Sequence, residues 1–590
     1  MTGISSQSSE NKPKARYWRS LSELRENDDF VNDYLHREFP VAASEFPEGV
    51  SRRRWMKLMG ASLSLAGVAA TGCRYPEEQI APFVVRPEGR IPGETYSRAT
   101  NFELADRVYN LLISCVDGRP LKIEPNPQHP AGSGTDVFSQ ASILSLYDPD
   151  RSRGEDGFLL KKGAKRRYEV KWDEFETVGA DLMAAAGAGE KMAVLMQPTA
   201  SPSIVRMLGE LKKKYPETTF ARYDGAAGDA MRVATTKVFG KPAVQKLDLS
   251  KAKVVVALQA DILGADRGQI QTSRTFAEHR DALADSMSRL YVVEGGYSST
   301  GAAADCRLAL RPSQMPAFLA KLRTMVAEIK GGSHQHESDS EGPFDAEDMT
   351  PEKRLNRFID VLAHDIADLG DAVVVVGDAL GADAIAAGIN MNKELGSLGT
   401  LQSFSEAIDG ALGETVSLGD VVTKMAAGEI ETALILGGNP VFTAPGDIDV
   451  AAALGKVANT VYLGEYDDET GSICSWSLPL SHPLESWGDV VDADGNYGVC
   501  QPNILPLLGG RTVAEVLAGL LDADKKSGAD ITRATADVIA GKSLSEREWK
   551  QLLHDGYAKD ILFKSELSAT GQGEPLAGGC LLYTSDAADE

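Results

Sequence analysis

Residues 254–264 (VVVALQADILG) open with five consecutive apolar residues and continue into a polar turn. The apolar part, Val254–Leu258, is too short for an ordinary helix and is rich in β-branched valine, so it predicts a strand buried on both faces. Similar runs occur at residues 192–196 (MAVLM), 290–293 (LYVV), 372–377 (AVVVVG) and 432–436 (TALIL). Helical patterns follow the runs, which is typical of parallel strands with crossover helices. Residues 172–470 are therefore predicted to form two doubly wound α/β domains.

The loops after these runs are candidate ligand sites, because open α/β sheets bind ligands at the carboxyl ends of their strands. The loops are residues 197–199 (QPT), 259–264 (QADILG), 377–378 (GD) and 437–440 (GGNP). Thr199, Ser201 and Ser203 follow the first run, but nothing marks one of them as a metal ligand. Gly-Asn-Pro and Gly-Asp are also ordinary turn sequences. The sequence therefore assigns no catalytic, cofactor-binding or metal-binding residue.

A β-hairpin is predicted upstream of these runs. Residues 109–116 (YNLLISCV) and 120–124 (PLKIE) flank Asp117-Gly118, a dipeptide that favours a tight hairpin turn. This hairpin belongs to a small N-terminal β module that we place at residues 99–171.

Composition narrows the possible functions. The chain has 590 residues and a formal net charge of -24, with a pI near 4.9, which argues against nucleic acid as a partner. No apolar window is long enough for a transmembrane helix. The six cysteines form no C-x2-C run, so the chain has no iron–sulfur or zinc motif. Two states of the cysteines remain possible: a disulfide, for instance between Cys474 and Cys500, or single buried thiols.

Residues 51–73 (SRRRWMKLMGASLSLAGVAATGC) have the build of an export signal, with basic residues, a short apolar stretch and a small-residue exit. Arg52 and Arg53 fit the pair that the twin-arginine translocase reads. An amphipathic or buried helix is the alternative interpretation. Cys73 is a candidate for lipidation. The alternative, that a run of small residues after the apolar stretch ends in cysteine by chance, remains open. Residues 1–50 form an extended pre-signal region, and residues 74–98 form an extended linker.

Several stretches resemble the molybdopterin oxidoreductase superfamily. Residues 17–73 are similar to the extended twin-arginine domain of exported molybdopterin/iron–sulfur oxidoreductase-like subunits. Residues 118–130 (GRPLKIEPNPQHP) and 139–153 (SQASILSLYDPDRSR) resemble the N-terminal module of the superfamily. Weaker likeness continues at residues 300–313, 390–399 and 437–445. The resemblance implies an α/β, molybdopterin-oxidoreductase-like fold with doubly wound parallel-sheet domains, the small N-terminal β module and a C-terminal mixed domain at residues 471–579.

The chain departs from this pattern in its cysteines. Members of the superfamily that carry an iron–sulfur cluster have several cysteines before the hairpin and one more between the two motifs that correspond to residues 118–130 and 139–153. In this chain, residues 95–113 and 132–138 contain no cysteine. A [4Fe–4S] cluster needs four thiolates, so none is expected in this module. With no metal ligand marked either, molybdopterin is not an expected cofactor.

Residues 478–502 resemble the large subunit of alternative complex III, a quinol-oxidising respiratory assembly, through the words LESWGD and QP. Within this element Glu485 is predicted to accept backbone hydrogen bonds in a structural turn. Residues 580–590 (CLLYTSDAADE) match the translation of a sequencing adapter and are predicted to be an assembly artefact, so the chain is expected to be an N-terminal fragment.

The leading hypothesis is a cofactor-free scaffold portion of an exported respiratory electron-transfer subunit. It would lie on the periplasmic face of the cytoplasmic membrane. [4Fe–4S] and [3Fe–4S] clusters would belong to a following module, and the partners would be a multihaem cytochrome and polytopic membrane subunits. The alternatives are a molybdopterin-dependent oxidoreductase acting on a small substrate and a large exported binding protein.

Overall fold

The computed structural model describes residues 91–563, apart from residues 92, 105–106, 133, 154–157, 163–166, 224, 226–228, 282, 284–286, 333–349 and 525–526. The predicted export signal with Arg52 and Arg53, the predicted lipidation site Cys73 and the predicted artefact at residues 580–590 lie outside the described residues.

The strands of the described chain are β1 (Thr95–Leu104), β2 (Arg107–Val116), β3 (Arg119–Pro125), β4 (Phe158–Lys162), β5 (Arg167–Lys171), β6 (Met192–Met196), β7 (Thr219–Arg222), β8 (Ala243–Leu247), β9 (Val254–Leu258), β10 (Arg289–Glu294), β11 (Cys306–Ala309), β12 (Ala372–Val376), β13 (Gln402–Glu406), β14 (Thr432–Leu436), β15 (Asn459–Gly464), β16 (Trp476–Pro479), β17 (Gly488–Val491), β18 (Asn496–Cys500) and β19 (Tyr557–Leu562).

The helices of the described chain are α1 (Val137–Leu146), α2 (Trp172–Ala185), α3 (Pro202–Lys214), α4 (Ala230–Phe239), α5 (Gln269–Glu278), α6 (Ser299–Ala302), α7 (Met315–Lys330), α8 (Pro351–Leu369), α9 (Ala382–Leu395), α10 (Leu418–Ala427), α11 (Pro440–Thr443), α12 (Val450–Leu454), α13 (Glu469–Ile473), α14 (Val513–Leu521), α15 (Gly528–Ala540) and α16 (Glu546–Asp555). Among the described helices, none is long and apolar enough to cross a membrane.

Two largely parallel sheets form the centre of the fold. One has the strand order β5-β4-β16-β15-β14-β6-β7, in which β16 to β7 are parallel and β4 and β5 add an antiparallel edge. The other has the order β11-β10-β9-β12 and is parallel throughout. Every residue of Val254–Leu258 is fully buried, as the sequence predicted for a strand covered on both faces. The predicted α/β class with doubly wound parallel sheets is therefore confirmed.

The predicted hairpin is formed by β2 and β3, and β1 pairs with β2 on the other side. Asp117 and Gly118 have φ angles of 49° and 86°, so both turn residues adopt the left-handed conformation that a tight hairpin turn of this kind needs. Helix α1 packs on β3. Cys115 is buried in β2, and Cys474 and Cys500 are buried free thiols.

The amino-terminal and carboxyl-terminal sheets are joined directly. Asn101 of β1 donates from Nδ2 to the carbonyl oxygens of Val499, at 3.0 Å, and Gly556, at 2.6 Å. Val499 belongs to the antiparallel sheet β17-β18-β19. The seven-stranded sheet likewise combines strands from three of the segments predicted from the sequence, residues 99–171, 172–470 and 471–579. The domain bounds themselves stay a prediction.

A buried ion pair links the end of α1 to the turn before β17. Arg151 Nη2 lies 2.5 Å from Glu485 Oε1, and both side chains are almost fully buried. The Glu485 carboxylate also accepts from the backbone N–H groups of His482, at 2.9 Å, and Leu507, at 3.0 Å. The prediction that Glu485 serves a structural turn is confirmed.

Replacing one member of this pair should destabilise the protein strongly. Glu485→Leu leaves the Arg151 guanidinium buried without its counter-ion, which costs about 3–5 kcal/mol in other buried pairs. Replacing both residues, Arg151→Met with Glu485→Leu, should restore part of that loss. Urea unfolding measures both. The matched control is Glu431→Gln, which breaks an ion pair with Lys191 whose side chains are 57% and 62% exposed; it should cost less than about 1 kcal/mol. An equal cost for Glu485→Leu and Glu431→Gln would contradict the assignment.

Acid should destabilise the fold through His482. Burial, helped by the Arg151 charge, lowers the pKa of this imidazole from 6.5 to about 4. As the pH falls, His482 is therefore protonated near pH 6.5 in the unfolded chain but only near pH 4 in the folded chain. The free energy of unfolding should fall as the pH drops from about 6.5 to about 4, by about 3 kcal/mol, and this contribution should level off below pH 4. Urea titrations across this range should show the slope in the wild type and lose it in His482→Gln. Parallel pH profiles of the two proteins would refute the effect.

Candidate functional site

The candidate loops of both central sheets lie at the carboxyl ends of their strands. In the seven-stranded sheet these are the ends of β6, β14, β15 and β16, and in the four-stranded sheet the ends of β9 and β12. Two cavities open there. We call one the arginine cleft; its volume is about 200 Å³ and its walls include Arg107, Arg232, Arg267 and Arg274. We call the other the acidic cavity; its volume is about 320 Å³ and its walls include Glu103, Glu465 and Asp489.

The loop after β6 is tied to the amino-terminal sheet by Glu103. Thr199 donates from its hydroxyl to Glu103 Oε2 at 3.0 Å, and the backbone N–H of Ala200 donates to Glu103 Oε1 at 2.8 Å. Glu103 lies at the end of β1, close to one hundred residues earlier in the chain. The Thr199 hydroxyl therefore donates its hydrogen bond to the carboxylate of Glu103 within the protein.

The two serines of the same loop bind a second internal carboxylate, that of Asp489 in β17. Ser201 Oγ and Ser203 Oγ each lie 2.6 Å from an oxygen of Asp489, and the Ser203 N–H donates to Oδ1 at 3.0 Å. Tyr497 adds its hydroxyl at 3.1 Å. Burial raises the pKa of the Asp489 carboxyl, and these donors oppose the rise. All three hydroxyls that the sequence left unassigned thus serve to join this loop to its neighbours.

The loop after β9 is organised by Asp261. Its carboxylate accepts from the backbone N–H of Thr300 at 2.9 Å, from the Thr300 hydroxyl at 2.7 Å, and from the N–H of Ala265 at 2.9 Å. Asp266 lies close by, where burial and the charges of Asp261 and Asp378 raise the pKa of its carboxyl to about 6. This loop therefore carries an acid that titrates near neutral pH.

The two remaining motifs of the resemblance are held by internal hydrogen bonds. In the loop after β14, Asn439 donates to Glu469 at 2.7 Å and accepts from Thr470 at 2.7 Å. In α9, the amide of Asn392 both donates to and accepts from the backbone of Val374, at 2.7 and 2.8 Å. Asn439 therefore fixes its loop to α13 and Asn392 fixes α9 to β12, and neither residue lines one of the two cavities.

The arginine cleft contains four arginines that the motifs did not predict, and its walls also carry carboxylates. These carboxylates are Glu103, Asp229, Glu406, Asp409, Asp492 and Asp494. Arg107 of β2 donates to the carbonyl oxygen of Ala265, and Arg267 lies two residues before the first residue of α5. Arg274 projects from the next turn of α5, beside Gly132, where a side chain would collide with its guanidinium. Arg232 is paired with Asp409 at 2.8 Å.

The amino-terminal end of α5 is anchored at this cleft. Gln269, its first residue, donates to Asp136 Oδ2 at 2.8 Å, and Tyr109 donates to the same oxygen at 2.8 Å. Arginines around the first turn of a helix suit an anionic ligand such as phosphate, because the helix end adds partial positive charge. Sequence reasoning missed these residues because they come from separate elements and match no motif.

No group of three or more His, Cys, Asp or Glu side chains able to hold a metal ion occurs among the described residues. The predicted export residues Arg52 and Arg53 and the lipidation candidate Cys73 cannot be placed, since they lie outside the described ranges.

Comparison with known proteins identifies one curated protein of similar sequence and one solved structure of similar fold. No protein-family model matches the chain. The menaquinone reductase molybdopterin-binding-like subunit of Nitratidesulfovibrio vulgaris strain Hildenborough is 25% identical over 463 residues, which cover 72% of this chain and 65% of that protein. The chain thus spans less than two thirds of this curated relative. Acetylene hydratase from Pelobacter acetylenicus superposes with a TM-score of 0.56 at 12% identity, covering 82% of this chain and 76% of that one.

These comparisons contradict the expectation that molybdopterin is not a cofactor. The relative is named for molybdopterin-like binding, and the fold is that of molybdopterin oxidoreductases. The expectation was wrong because it weighed only cysteines and metal ligands, whereas phosphates of a pterin nucleotide are held by arginines and helix ends. The guanidinium groups of Arg107, Arg267 and Arg274 are of the kind that binds the phosphates of a pterin nucleotide.

The sequence motifs, the two parallel sheets and the comparisons all indicate the same fold and superfamily. The chain has the α/β fold of the molybdopterin oxidoreductases and is similar to that superfamily.

Proposed function

We propose that this chain is a molybdopterin-binding-like subunit of a quinone-linked respiratory electron-transfer complex, in which it positions its neighbours. The named role of the Nitratidesulfovibrio relative and the shared fold support this proposal. Since the chain covers 65% of that relative, the activity of the whole protein is part of the proposal.

One observation carries the positioning role. The hydroxyls of the loop after β6, where a redox centre would need free ligands, are bound by Glu103 and Asp489 instead. These bonds hold the amino-terminal sheet, the seven-stranded sheet and the carboxyl-terminal sheet in one arrangement. A rigid body of this kind suits a subunit that fixes the distances between redox centres carried by other modules.

The further features of the proposal extend beyond the described residues. The subunit would be exported through the twin-arginine signal at Arg52 and Arg53 and would lie on the periplasmic face of the cytoplasmic membrane, with Cys73 as a candidate lipid anchor. It would correspond to the large subunit of alternative complex III, with an iron–sulfur module following residue 579. A multihaem cytochrome and polytopic membrane subunits would be its partners.

The arginine cleft is the proposed binding site for a pterin nucleotide. Arg107, Arg267 and Arg274 would hold its phosphate groups, together with the backbone N–H groups at the start of α5. When bound, such a group would supply a dithiolene able to carry a redox metal. The residues of this chain would bind and orient it.

Purification of the tagged full-length protein from its native membranes tests the role in a complex. We expect a multihaem cytochrome, read as covalently bound haem, and polytopic membrane subunits in stoichiometric amounts. Arg52→Lys with Arg53→Lys should abolish export and therefore assembly, while the conservative change at the exposed Arg547, Arg547→Lys, should leave both intact. A protein that purifies alone from intact membranes would refute the role.

Oxidation of the purified protein with acidic iodine, followed by fluorescence of the released pterin, tests the arginine cleft. We expect pterin in the wild type and at least about a hundredfold weaker retention of it in Arg267→Glu with Arg274→Glu, because each of the two charge-assisted bonds to phosphate contributes about 1.5–3 kcal/mol. Arg547→Glu, an exposed charge reversal on α16, should retain the wild-type amount. Wild-type protein without pterin would refute this binding site, while leaving the proposed complex untouched.

A further inference from the structure

The acidic cavity differs from the arginine cleft in having no arginine or lysine in its described lining. It lies at the carboxyl ends of β6, β14, β15 and β16, closed on one side by β1 and α1, and its volume is about 320 Å³. Among the described residues that line it there are three carboxylates but no lysine or arginine. A phosphate-bearing ligand would meet only negative charge there, so this cavity suits a different class of ligand.

Two of the three carboxylates are already satisfied. Glu103 accepts from Thr199 and Ala200, and Asp489 accepts from Ser201, Ser203 and Tyr497. The third carboxylate belongs to Glu465, which follows β15. Within the described part of the chain its side chain accepts no hydrogen bond, and burial raises the pKa of its carboxyl.

The one cation that favours the charged form of Glu465 is shared with another carboxylate. The Arg151 charge lowers the pKa of Glu465, but its Nη1 donates to the carbonyl oxygen of Leu146 at 3.0 Å and its Nη2 is bound to Glu485. Glu485 itself adds negative charge that raises the pKa of Glu465 further. His482 supplies no charge, because its Nδ1 accepts from the N–H of Leu484 at 3.1 Å and its buried ring stays neutral.

Ser481 provides a second group without a partner. Its side chain is 5% exposed, and its Oγ has no hydrogen-bond partner among the described residues. Ser481 also lines the cavity. The N–H of Leu480 donates to the carbonyl oxygen of Gly464 at 2.9 Å, so Ser481 and Glu465 follow directly from paired positions of neighbouring strands.

The rest of the described wall mixes hydroxyl-bearing and apolar side chains and includes two aromatic rings, Phe102 and Trp487. Aromatic rings attract cations through the negative faces of their π systems. A carboxyl and a hydroxyl without hydrogen-bond partners among the described residues, beside two aromatic rings and with no lysine or arginine in the described lining, together form chemistry that suits a small organic cation.

We propose that the acidic cavity binds a primary ammonium or guanidinium group, with Glu465 as its counter-ion and Ser481 as a hydrogen-bond acceptor. Because burial favours the protonated form of Glu465 and a bound cation favours the carboxylate, cation binding should release up to one proton to solvent, which leaves a neutral pair. This proposal is independent of the proposed role in a respiratory complex.

Calorimetric titration of the full chain with n-butylammonium and with ethylguanidinium tests the site, with n-butanol as the uncharged control. We expect both cations to bind, n-butanol to bind at least tenfold more weakly, and up to one proton to be released per cation, measured from the heats in two buffers of different ionisation enthalpy. Glu465→Gln should lower the cation affinity at least tenfold and remove the proton release. Ser481→Ala should lower the affinity severalfold.

Glu431→Gln, which removes an exposed carboxylate just before β14 and outside the cavity lining, should bind as the wild type does. Circular dichroism melting without ligand checks that Glu465→Gln is folded, since glutamine is isosteric with the protonated acid. Binding by N-acetyl-lysine methylamide as tight as by n-butylammonium would indicate a lysine side chain from a partner as the source of the ammonium group, and its exclusion would indicate a free amine. Equal affinity for n-butanol, or unchanged cation binding by Glu465→Gln, would overturn the proposal.

Discussion

The carboxylate of Asp489 is the interaction on which the assembly of this protein depends. It is 1% exposed and receives hydrogen bonds from Ser201, Ser203 and Tyr497. A buried carboxylate without such donors would cost several kcal/mol, so the loop after β6 and the strand β17 must come together as the chain folds. Glu103 makes the corresponding connection from β1 to the same loop. Three sheets thus meet at one short loop.

Glu103 borders both cavities, with the arginine cleft on one side and the acidic cavity on the other. The arginine cleft combines four arginines with several carboxylates, whereas the described lining of the acidic cavity has carboxylates and no lysine or arginine. Charges act strongly over short distances in a partly buried setting, so the arginines are the groups that can hold an anion, and the acidic cavity favours a cation. An anionic nucleotide and an organic cation can therefore be proposed for neighbouring sites in one fold without conflict.

Local sequence information was sufficient for much of the fold. The short valine-rich runs predicted the buried parallel strands, since a run such as Val254–Leu258 has no polar face to expose. Asp117-Gly118 predicted its hairpin because few dipeptides accept two left-handed residues in succession. Glu485 was predicted to serve a turn, and its backbone hydrogen bonds confirm that role. The prediction about molybdopterin was wrong, because missing cysteines bear on iron–sulfur clusters and not on the groups that bind phosphate.

The sequence by itself determined which segments become strands, helices and turns, because periodicity and turn chemistry act between residues a few positions apart. The tertiary structure alone decided the order of strands in the sheets and the partners of the buried charges. Glu103 meets Thr199, Arg151 meets Glu485 and Asn101 meets Val499 across separations of 96, 334 and 398 residues. No local pattern encodes such pairs, since each forms only after separate elements have packed. The charge of each cavity depends on those pairs, and so it could be found only in the folded chain.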